Sequence, residues 1–250
     1  MRIDVLTLFP DMFRAVLEES ILGRAAEKQI IKLVFHNIRD YSENRHRKVD
    51  DYPYGGGLGM VMQCQPIFSA VEEIAAEVGK KPYTILMSPQ GRTFNQSKAK
   101  ELSTYDNLMI ICGHYEGIDE RVTEALVDEE ISIGDFVLTG GEIAAMAVVD
   151  ATCRLIPGVL KEDASHAVES FSEGLLEFPQ YTRPIVFKDM KVPEILLSGH
   201  HKNIEKWRRY QSLKRTFEKR PELLSRVDLS EEDLRILDNI KKEYIKKESE

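Results

Sequence analysis

Short β-branched runs alternate with amphipathic segments along the first 155 residues, and this alternation constrains the fold more than any other feature of the chain. The strand candidates span residues 3–8, 31–36, 83–87, 108–112 and, more weakly, 131–138. The helix candidates span residues 12–28, 66–78, 96–103, 118–127 and 142–155. Because strands and helices alternate, we predict βα units around a mostly parallel sheet, which is the α/β fold class.

The composition and the hydrophobic pattern of the sequence change after residue 156. Residues 157–193 contain four prolines and few periodic apolar positions, so we predict a linker there, and connections of this length often carry function. Helical signals return at 194–197, 203–218 and 230–247, the last with acids early and lysines late, as the helix dipole favours. The predicted organisation is an α/β domain over 1–156, a linker over 157–193 and a small α-helical domain over 194–250.

The cysteines and the apolar stretches indicate a protein of the cytoplasm. Cys64, Cys112 and Cys153 are odd in number and form no CxxC pair, so we expect small core residues rather than a disulfide framework. The sequence begins without a signal-peptide pattern, and no uncharged apolar stretch approaches the length that spans a membrane. Neither secretion nor a membrane partner is expected.

Several common enzyme motifs are absent from the sequence. The glycine cluster at 55–59 lacks the spacing of GxGxxG, so a dinucleotide site is unsupported. The P-loop pattern GxxxxGK[ST], the zinc motif HExxH and the nucleophile motif GxSxG do not occur either. P-loop NTPase, zinc metalloprotease and serine hydrolase chemistries are therefore not expected.

Three glycine-containing segments follow strand candidates, at 88–91, 113–121 and 132–142. In open α/β sheets, ligands bind beyond the carboxyl ends of the strands, and glycine lets the backbone approach a ligand closely. Any one of these segments could be a simple turn. Together they predict one shared pocket.

Five blocks of sequence resemble one family. They read DDYPYGGGLGM at 50–60, GHYEGIDER at 113–121, SIGDFVLTGGE at 132–142, RLIPG at 154–158 and YTRP at 181–184. They are similar to the bacterial tRNA (guanine-N1-)-methyltransferases of the trefoil-knotted SPOUT class, and the likeness extends from Phe9-Pro10 to Arg220-Pro221.

This resemblance implies a deep trefoil knot that holds S-adenosyl-L-methionine, a homodimer with the active site at the subunit interface, and tRNA rather than DNA as partner. The implied reaction is methylation of N1 of the guanosine immediately 3′ of the anticodon, a modification that maintains the reading frame. The family also suggests Mg²⁺, although no carboxylate cluster in the sequence marks a metal site.

The resemblance also assigns a cofactor site. Backbone groups of three loops would meet the adenosine, Tyr115, Ile133 and Leu138 would form apolar walls, and Glu116 would accept from a ribose hydroxyl. The full set of expected cofactor residues is Ser88, Pro89, Gly91, Gly113, Tyr115, Glu116, Gly117, Ile133, Gly134, Asp135, Phe136, Val137, Leu138, Gly140 and Gly141. An uncharged adenosine end suits such a site, because it needs hydrogen-bonding backbone and apolar walls rather than a phosphate cradle.

Two charged residues are candidates for catalysis. Guanine N1 carries a proton, so methylation needs a base, and negative charge that grows on O6 needs a partner. Arg154 ends an apolar helix and follows Asp150 by four residues, so we assign its guanidinium to stabilising the negative charge on O6. The alternative is an ordinary i,i+4 ion pair with Asp150. Glu169 stands where the family has a catalytic aspartate before Ser-Phe, so we assign it as the base; a solvated linker glutamate is the alternative.

The charge distribution locates the expected RNA contacts. The chain carries a formal charge of −8, yet residues 200–220 carry +6 with Trp207 and Tyr210 interleaved, which suits phosphate contacts and base stacking. The expected RNA-binding residues are Arg183, Lys202, Arg208, Arg209, Lys214 and Arg215. A second basic stretch, formed by Arg39, Arg45, Arg47 and Lys48, could meet the anticodon stem. The alternative is a solvated basic face, and for Trp207 itself we expect a place in a small core rather than a stacking role, because buried Trp is common.

Two other functions remain open at this point. One is a non-catalytic RNA-binding protein whose glycine segments are only turns. The other is a SPOUT-like enzyme that methylates a ribose 2′-hydroxyl or another base.

Overall fold

The computed structural model describes residues 1–161 and 169–248, and the chain divides into two compact units, Met1–Asp163 and Ala164–Glu250. The division falls inside the segment 157–193 that the sequence predicts as a linker. Residues 162–168 of that predicted linker lie outside the described residues. The predicted boundaries at 156 and 193 stay predictions.

The first unit is an α/β structure around a parallel sheet. Its strands are β1 (Arg2–Thr7), β2 (Lys32–Asn37), β3 (Asp50–Asp51), β4 (Val61–Met62), β5 (Tyr83–Thr93), β6 (Asn107–Cys112) and β7 (Glu129–Ser132). Its helices are α1 (Pro10–Leu17), α2 (Ser20–Glu27), α3 (Cys64–Val78), α4 (Gln96–Leu102), α5 (Glu120–Leu126) and α6 (Glu142–Cys153), with a 3₁₀ turn at Ile38–Tyr41. The five-stranded sheet has the order β2-β1-β6-β5-β7 with every pair parallel, while β3 and β4 form a separate antiparallel ribbon. The predicted α/β fold with a parallel sheet is confirmed.

Helices cover both faces of this sheet because its central strands are apolar on both sides. In β6, Leu108 and Ile110 belong to one core, and Met109 and Ile111 belong to the other, as the two-residue period of a strand requires. The first core contains buried residues of α1, α2, α4 and α6, and the second contains buried residues of α3 and α5. Helix packing on both faces fixes the positions of the strand ends, and the candidate site is built from these ends.

Helix α4 begins as the sequence predicts. The Asn95 side chain accepts the Lys98 N–H at 3.0 Å and caps the helix. The predicted helix 66–78 begins two residues earlier, at Cys64, so Pro66 is its third residue.

Three other elements differ from their predicted bounds. The predicted helix 12–28 is two helices, because Ser20 adopts a left-handed φ of 55° after the first helix has ended at Leu17. The predicted strand 83–87 continues to Thr93 as β5, with a register shift against β7 between Met87 and Arg92. The weaker strand 131–138 is shorter than predicted, and its pairing with β5 ends at Ser132.

The second unit contains β8 (Val186–Phe187), β9 (Met190–Lys191), α7 (Glu194–Leu197), α8 (His201–Lys219), a 3₁₀ turn at Pro221–Arg226 and α9 (Glu231–Glu248). Its apolar core is built on the buried residues Leu175, Leu213 and Ile240, and Leu223 and Leu237 are buried as well. The segment before the helices is anchored to α8, because Leu176 N–H donates to Thr216 Oγ1 at 2.9 Å and Ser212 Oγ donates to the Leu176 carbonyl at 2.6 Å. Trp207 is half-buried beside Tyr181 rather than part of this core.

Candidate active site

A cleft of about 320 Å³ lies where the three glycine-containing segments of the first unit meet. Its volume falls in the range of roughly 300–1,000 Å³ that small-molecule sites occupy. The predicted cofactor residues that line it are Ser88, Pro89, Gly113, Tyr115, Glu116, Gly117, Ile133, Gly134, Phe136, Val137, Leu138, Gly140 and Gly141. The shared pocket that the three segments predict is therefore present.

Two of the predicted cofactor residues, Gly91 and Asp135, are not among the residues that line the cleft. A Cβ atom on Gly91 would lie 2.5 Å from the backbone nitrogen of Ile131 in β7, so the close approach of two strands already requires glycine there. The assignment of Gly91 and Asp135 to the cofactor stays a prediction.

The two glycines before α6 are required by the packing of the cleft itself. A Cβ atom on Gly141 would lie 3.0 Å from Cα of Cys112 and 3.1 Å from N of Gly113, both of which are backbone atoms that have little freedom to move. A Cβ atom on Gly140 would overlap the Glu142 carboxylate and lie 2.6 Å from His114 Nδ1. Gly141 N–H also donates to the Gly113 carbonyl at 2.8 Å, which joins two of the three segments.

The glycine cluster at 55–59 reaches the rim of the cleft. Glu116 N–H donates to the Met60 carbonyl at 3.0 Å, and a Cβ atom on Gly59 would lie 2.5 Å from Glu116 Oε1. Gly59 also has a φ of 83°, which L side chains rarely adopt. This glycine cluster therefore supports the loop that carries Glu116. The spacing of its glycines, which does not match a dinucleotide motif, gives no indication of this structural role.

Sequence reasoning missed His114 and Glu142. Glu142 is the first residue of α6 and is buried, and its Oε1 accepts a hydrogen bond from Thr7 Oγ1 at 2.9 Å. Its Oε2 lies 4.0 Å from Nδ1 of His114, which lines the cleft. Burial, and then the charge of Glu142, raise the pKa of the Cys112 thiol. The one signal in the sequence that points to Glu142 is its position after two glycines at the start of an apolar helix.

Arg154 lies in the first unit as the C-cap of α6 and is half-buried. Its backbone N–H donates to the Asp150 carbonyl at 3.1 Å, while the Asp150 side chain is exposed. The predicted helix 142–155 is thus confirmed to within two residues.

Glu169 is the first described residue of the second unit and is half-buried. Its carbonyl accepts the Ser172 N–H at 3.1 Å. It contributes to a cavity of about 290 Å³ in that unit, whose other walls include Glu173, Phe178 and Arg208.

The basic residues predicted to bind RNA have different environments. Arg183, Lys202 and Arg208 are exposed, whereas Lys214 and Arg215 are half-buried on α8. The Arg208 guanidinium lies 4.7 Å from the centre of the Phe178 ring, a cation–π contact.

Arg209 differs from its neighbours because it is engaged in ion pairs. It contacts Asp233 at 2.8 Å through Nε and Glu173 at 3.2 Å through Nη1. Hydrogen bonds from Arg209 lower the pKa of Asp233 to about 2. Much of the charge of Arg209 is thus satisfied inside the unit.

Within residues 1–161 and 169–248, no group of three or more His, Cys, Asp or Glu side chains is arranged to hold a metal ion. Within the same ranges, no helix is long and apolar enough to cross a membrane. Cys64, Cys112 and Cys153 are free thiols.

The family model described as tRNA (Guanine-1)-methyltransferase TrmD matches residues 1–226. A protein of Halalkalibacterium halodurans named tRNA (guanine-N(1)-)-methyltransferase is 55% identical over 246 residues, which cover 98% of this chain and 100% of the relative. Proteins of the same name from Dehalococcoides mccartyi and Bacillus cereus are 56% identical over 240 residues and 55% identical over 243 residues, covering 96% and 97% of this chain and 97% and 100% of the relatives. The chain belongs to the tRNA (guanine-1)-methyltransferase family.

Proposed function

We propose that this protein transfers a methyl group from S-adenosyl-L-methionine to N1 of the guanosine immediately 3′ of the anticodon in tRNA, and so helps to maintain the reading frame. The observation that carries this proposal is the convergence of three glycine-containing segments on one cleft in a chain of this family. We also propose that the enzyme is cytoplasmic, because its substrate is tRNA.

The cleft has the size of a small-molecule site and the chemistry that the cofactor needs. Gly140 and Gly141 let the segment before α6 pack directly against the segment that begins at Gly113, so the backbones of two segments lie together along the cleft. Ile133 and Leu138 supply apolar surface, and Glu116 is exposed, so its carboxylate is accessible to a ribose hydroxyl. When bound, the cofactor supplies an electrophilic methyl group carried on a sulfonium.

Two residues of the chain then act on the guanine. Glu169 takes the N1 proton, so that the lone pair on N1 becomes available, and general bases of this kind contribute about 10²–10⁴ in rate. The Arg154 guanidinium donates to O6 as negative charge grows there. Glu169 has one methylene more than the aspartate of the family pattern, which changes its reach but not the chemistry.

The RNA is held by the basic residues of the second unit. The exposed residues Arg183, Lys202 and Arg208 contact phosphates, and the partly buried Lys214 and Arg215 add positive charge to the same helix. Because Arg209 is already paired with Asp233, its contribution to phosphate binding is smaller than that of Arg208.

The enzyme works as a homodimer. Phe9, Met12 and Val16 place apolar side chains along one side of α1 and remain 42%, 41% and 56% exposed. Helix α6 packs against α1 and adds Ile143, which is 53% exposed. An apolar surface of this kind suits burial against a second copy of the chain.

The remaining features of the family are also part of the proposal. The segments around the cleft form the trefoil knot, and the helices of the second unit form an RNA-binding domain. Mg²⁺ has no assigned residues and no assigned step, because the described residues contain no group of three or more His, Cys, Asp or Glu side chains arranged to hold a metal ion.

Calorimetry with S-adenosyl-L-methionine, with and without tRNA, tests the proposal. We expect measurable cofactor binding to the full-length protein. Absence of binding in both titrations, together with retained tRNA binding, would instead identify a non-catalytic RNA-binding protein.

A further inference from the structure

Glu169 begins a loop, residues 169–177, whose backbone is bonded to itself. The Glu169 carbonyl accepts the Ser172 N–H at 3.1 Å, and the Phe171 N–H donates to the Leu175 carbonyl at 2.7 Å. Phe171 holds a φ of 70°, a conformation that residues other than glycine keep only when their surroundings require it. The backbone next to Glu169 is therefore fixed by hydrogen bonds within the loop.

The middle of this loop packs against the rest of the second unit. A Cβ atom on Gly174 would overlap Cγ2 of Val227, and Gly174 has a φ of 82°, so the close approach requires glycine. Leu175 is 4% exposed and belongs to the apolar core of the unit. The Arg220 guanidinium lies 5.9 Å from the centre of the Phe171 ring. The loop is thus held in place by packing as well as by its own hydrogen bonds.

The hydroxyl of Thr216, a fully buried residue of α8, bonds the end of the loop. Thr216 Oγ1 donates to the Ser212 carbonyl at 2.8 Å, which uses its single proton. It can therefore meet the Leu176 N–H, at 2.9 Å, only as an acceptor. Ser212 Oγ donates to the Leu176 carbonyl at 2.6 Å. Both backbone groups of Leu176 are consequently bonded to side chains one helical turn apart on α8.

Glu177 connects this anchor to the proposed base. Its N–H donates to Ser170 Oγ at 3.0 Å, and Ser170 is the residue that follows Glu169. Two consecutive N–H groups, those of Leu176 and Glu177, are thus accepted by a hydroxyl of α8 and by a hydroxyl beside Glu169. Loss of either hydroxyl leaves a backbone N–H without its partner, so the loop must rearrange to satisfy it.

We propose that Ser170 and Thr216 are positioning residues that hold the Glu169 carboxylate where it takes the N1 proton. They act through the backbone of Leu176 and Glu177. A base must lie within hydrogen-bond reach of the proton that it removes, and a misplacement of about 1 Å can cost about 10²-fold in rate. This inference rests on the proposed function, since it takes Glu169 as the base.

The test is the single-turnover rate of methyl transfer by the full-length protein at saturating S-adenosyl-L-methionine and tRNA. We expect Ser170→Ala and Thr216→Val each to lower this rate about tenfold, because a loosened loop misplaces the base. The dissociation constants of tRNA and cofactor should stay within about twofold of wild type, because positioning acts on the transition state. Thr216→Ser, which keeps the hydroxyl, should restore the rate.

A double-mutant cycle with Glu169→Gln identifies the group that is positioned. Once the base has been removed, Thr216→Val should cause no further loss of rate, because nothing remains to be positioned. Losses of rate that multiply in the double variant would contradict the proposal, since Thr216 would then act independently of Glu169.

Thr84→Val is the matched control. Thr84 is equally buried, and its hydroxyl donates to the Pro82 carbonyl at 3.1 Å, but it lies at the start of β5 in the first unit. It should leave the single-turnover rate unchanged. An equal loss of rate in Thr84→Val would overturn the proposal, because loss of any buried hydroxyl would then slow the enzyme.

Wild-type rates in Ser170→Ala or Thr216→Val overturn the proposal, as does a weakened tRNA affinity with the saturated rate intact. If Thr216→Val fails to fold, Ser170→Ala provides the same test at a half-buried residue of the loop. A wild-type protein that transfers no methyl group would refute the proposed function, and a Glu169→Gln rate equal to wild type would refute the base assignment. Both results are distinct from a failure of positioning, in which Glu169→Gln is slow and the hydroxyl variants are not.

Discussion

Arg209 binds Asp233 through two parallel hydrogen bonds, Nε to Oδ1 and Nη2 to Oδ2, both 2.8 Å long. Asp233 is 5% exposed, and it also accepts hydrogen bonds from the backbone and the hydroxyl of Ser230 at the start of α9. One carboxylate thereby joins the side of α8 to the N-terminal cap of α9. This relationship gives Arg209 a structural role that its position in a basic helix does not indicate.

The pair makes the stability of the second unit depend on pH. The folded-state pKa of Asp233 is lowered to about 2, so its ionised form contributes stability above pH 4 that is lost as pH falls toward 2. We expect wild type to exceed Asp233→Asn by about 2 kcal/mol in urea unfolding at pH 6, and this difference to shrink at pH 2.5. A difference that stays constant between the two pH values would show that the carboxylate is not the cause.

Charge reversal should have different effects at Arg208 and at Arg209. Arg208 is exposed, so Arg208→Glu should weaken tRNA binding, flatten its dependence on salt and leave cofactor binding intact. Arg209→Glu should instead lower the melting temperature of the protein, because it leaves Asp233 buried beside a second acid. Filter binding at several salt concentrations, together with thermal melting, distinguishes the two; equal melting temperatures would contradict the assignment.

Removal of the proposed base should slow chemistry without loss of the fold. We expect Glu169→Gln to reduce single-turnover methyl transfer by about 10²–10⁴, because N1 then keeps its proton. Glu173→Gln is the matched control, since Glu173 lines the same cavity and has no assigned role in proton transfer. A Glu169→Gln rate within a few-fold of wild type would mean that another group is the base.

The glycines of the cleft should differ in their tolerance of a methyl group. Gly141→Ala brings a Cβ atom to 3.0 Å from the Cys112 backbone, so we expect cofactor binding to be lost. Gly113→Ala should preserve the fold, because its Cβ atom would lie 3.5 Å from the nearest atom, a flexible side-chain carbon of Ile118. Calorimetry and thermal melting of both variants provide the comparison, and undiminished binding in Gly141→Ala would contradict the role of this close approach.

The sequence predicts those parts of the structure that are determined by residues close to one another along the chain. Apolar strands such as β6 and the Asn95 cap of α4 follow from residue patterns, and the shared cleft follows from the geometry of parallel strands. The break between α1 and α2 was missed, because Glu18 and Glu19 carry no turn signal and Ser20 takes a left-handed φ of 55°, which residues other than glycine uncommonly adopt.

The missed parts of the candidate site involve partners that are distant along the chain. Thr7 and Glu142 are 135 residues apart, and Arg209 and Asp233 are 24 apart. Residue spacing gives no hint of such pairs, because they form only when separate elements pack together. The family resemblance assigned roles to residues that contact ligands and left the buried residues behind them unassigned.

The most direct test of the central claim is the identity and position of the methylated nucleoside. The full-length protein is incubated with S-adenosyl-L-methionine and an unmodified tRNA that carries guanosine immediately 3′ of its anticodon, and the RNA is digested and analysed by mass spectrometry. The account requires 1-methylguanosine at that position alone. A methyl group on a ribose 2′-hydroxyl, on another base or at another position would contradict it.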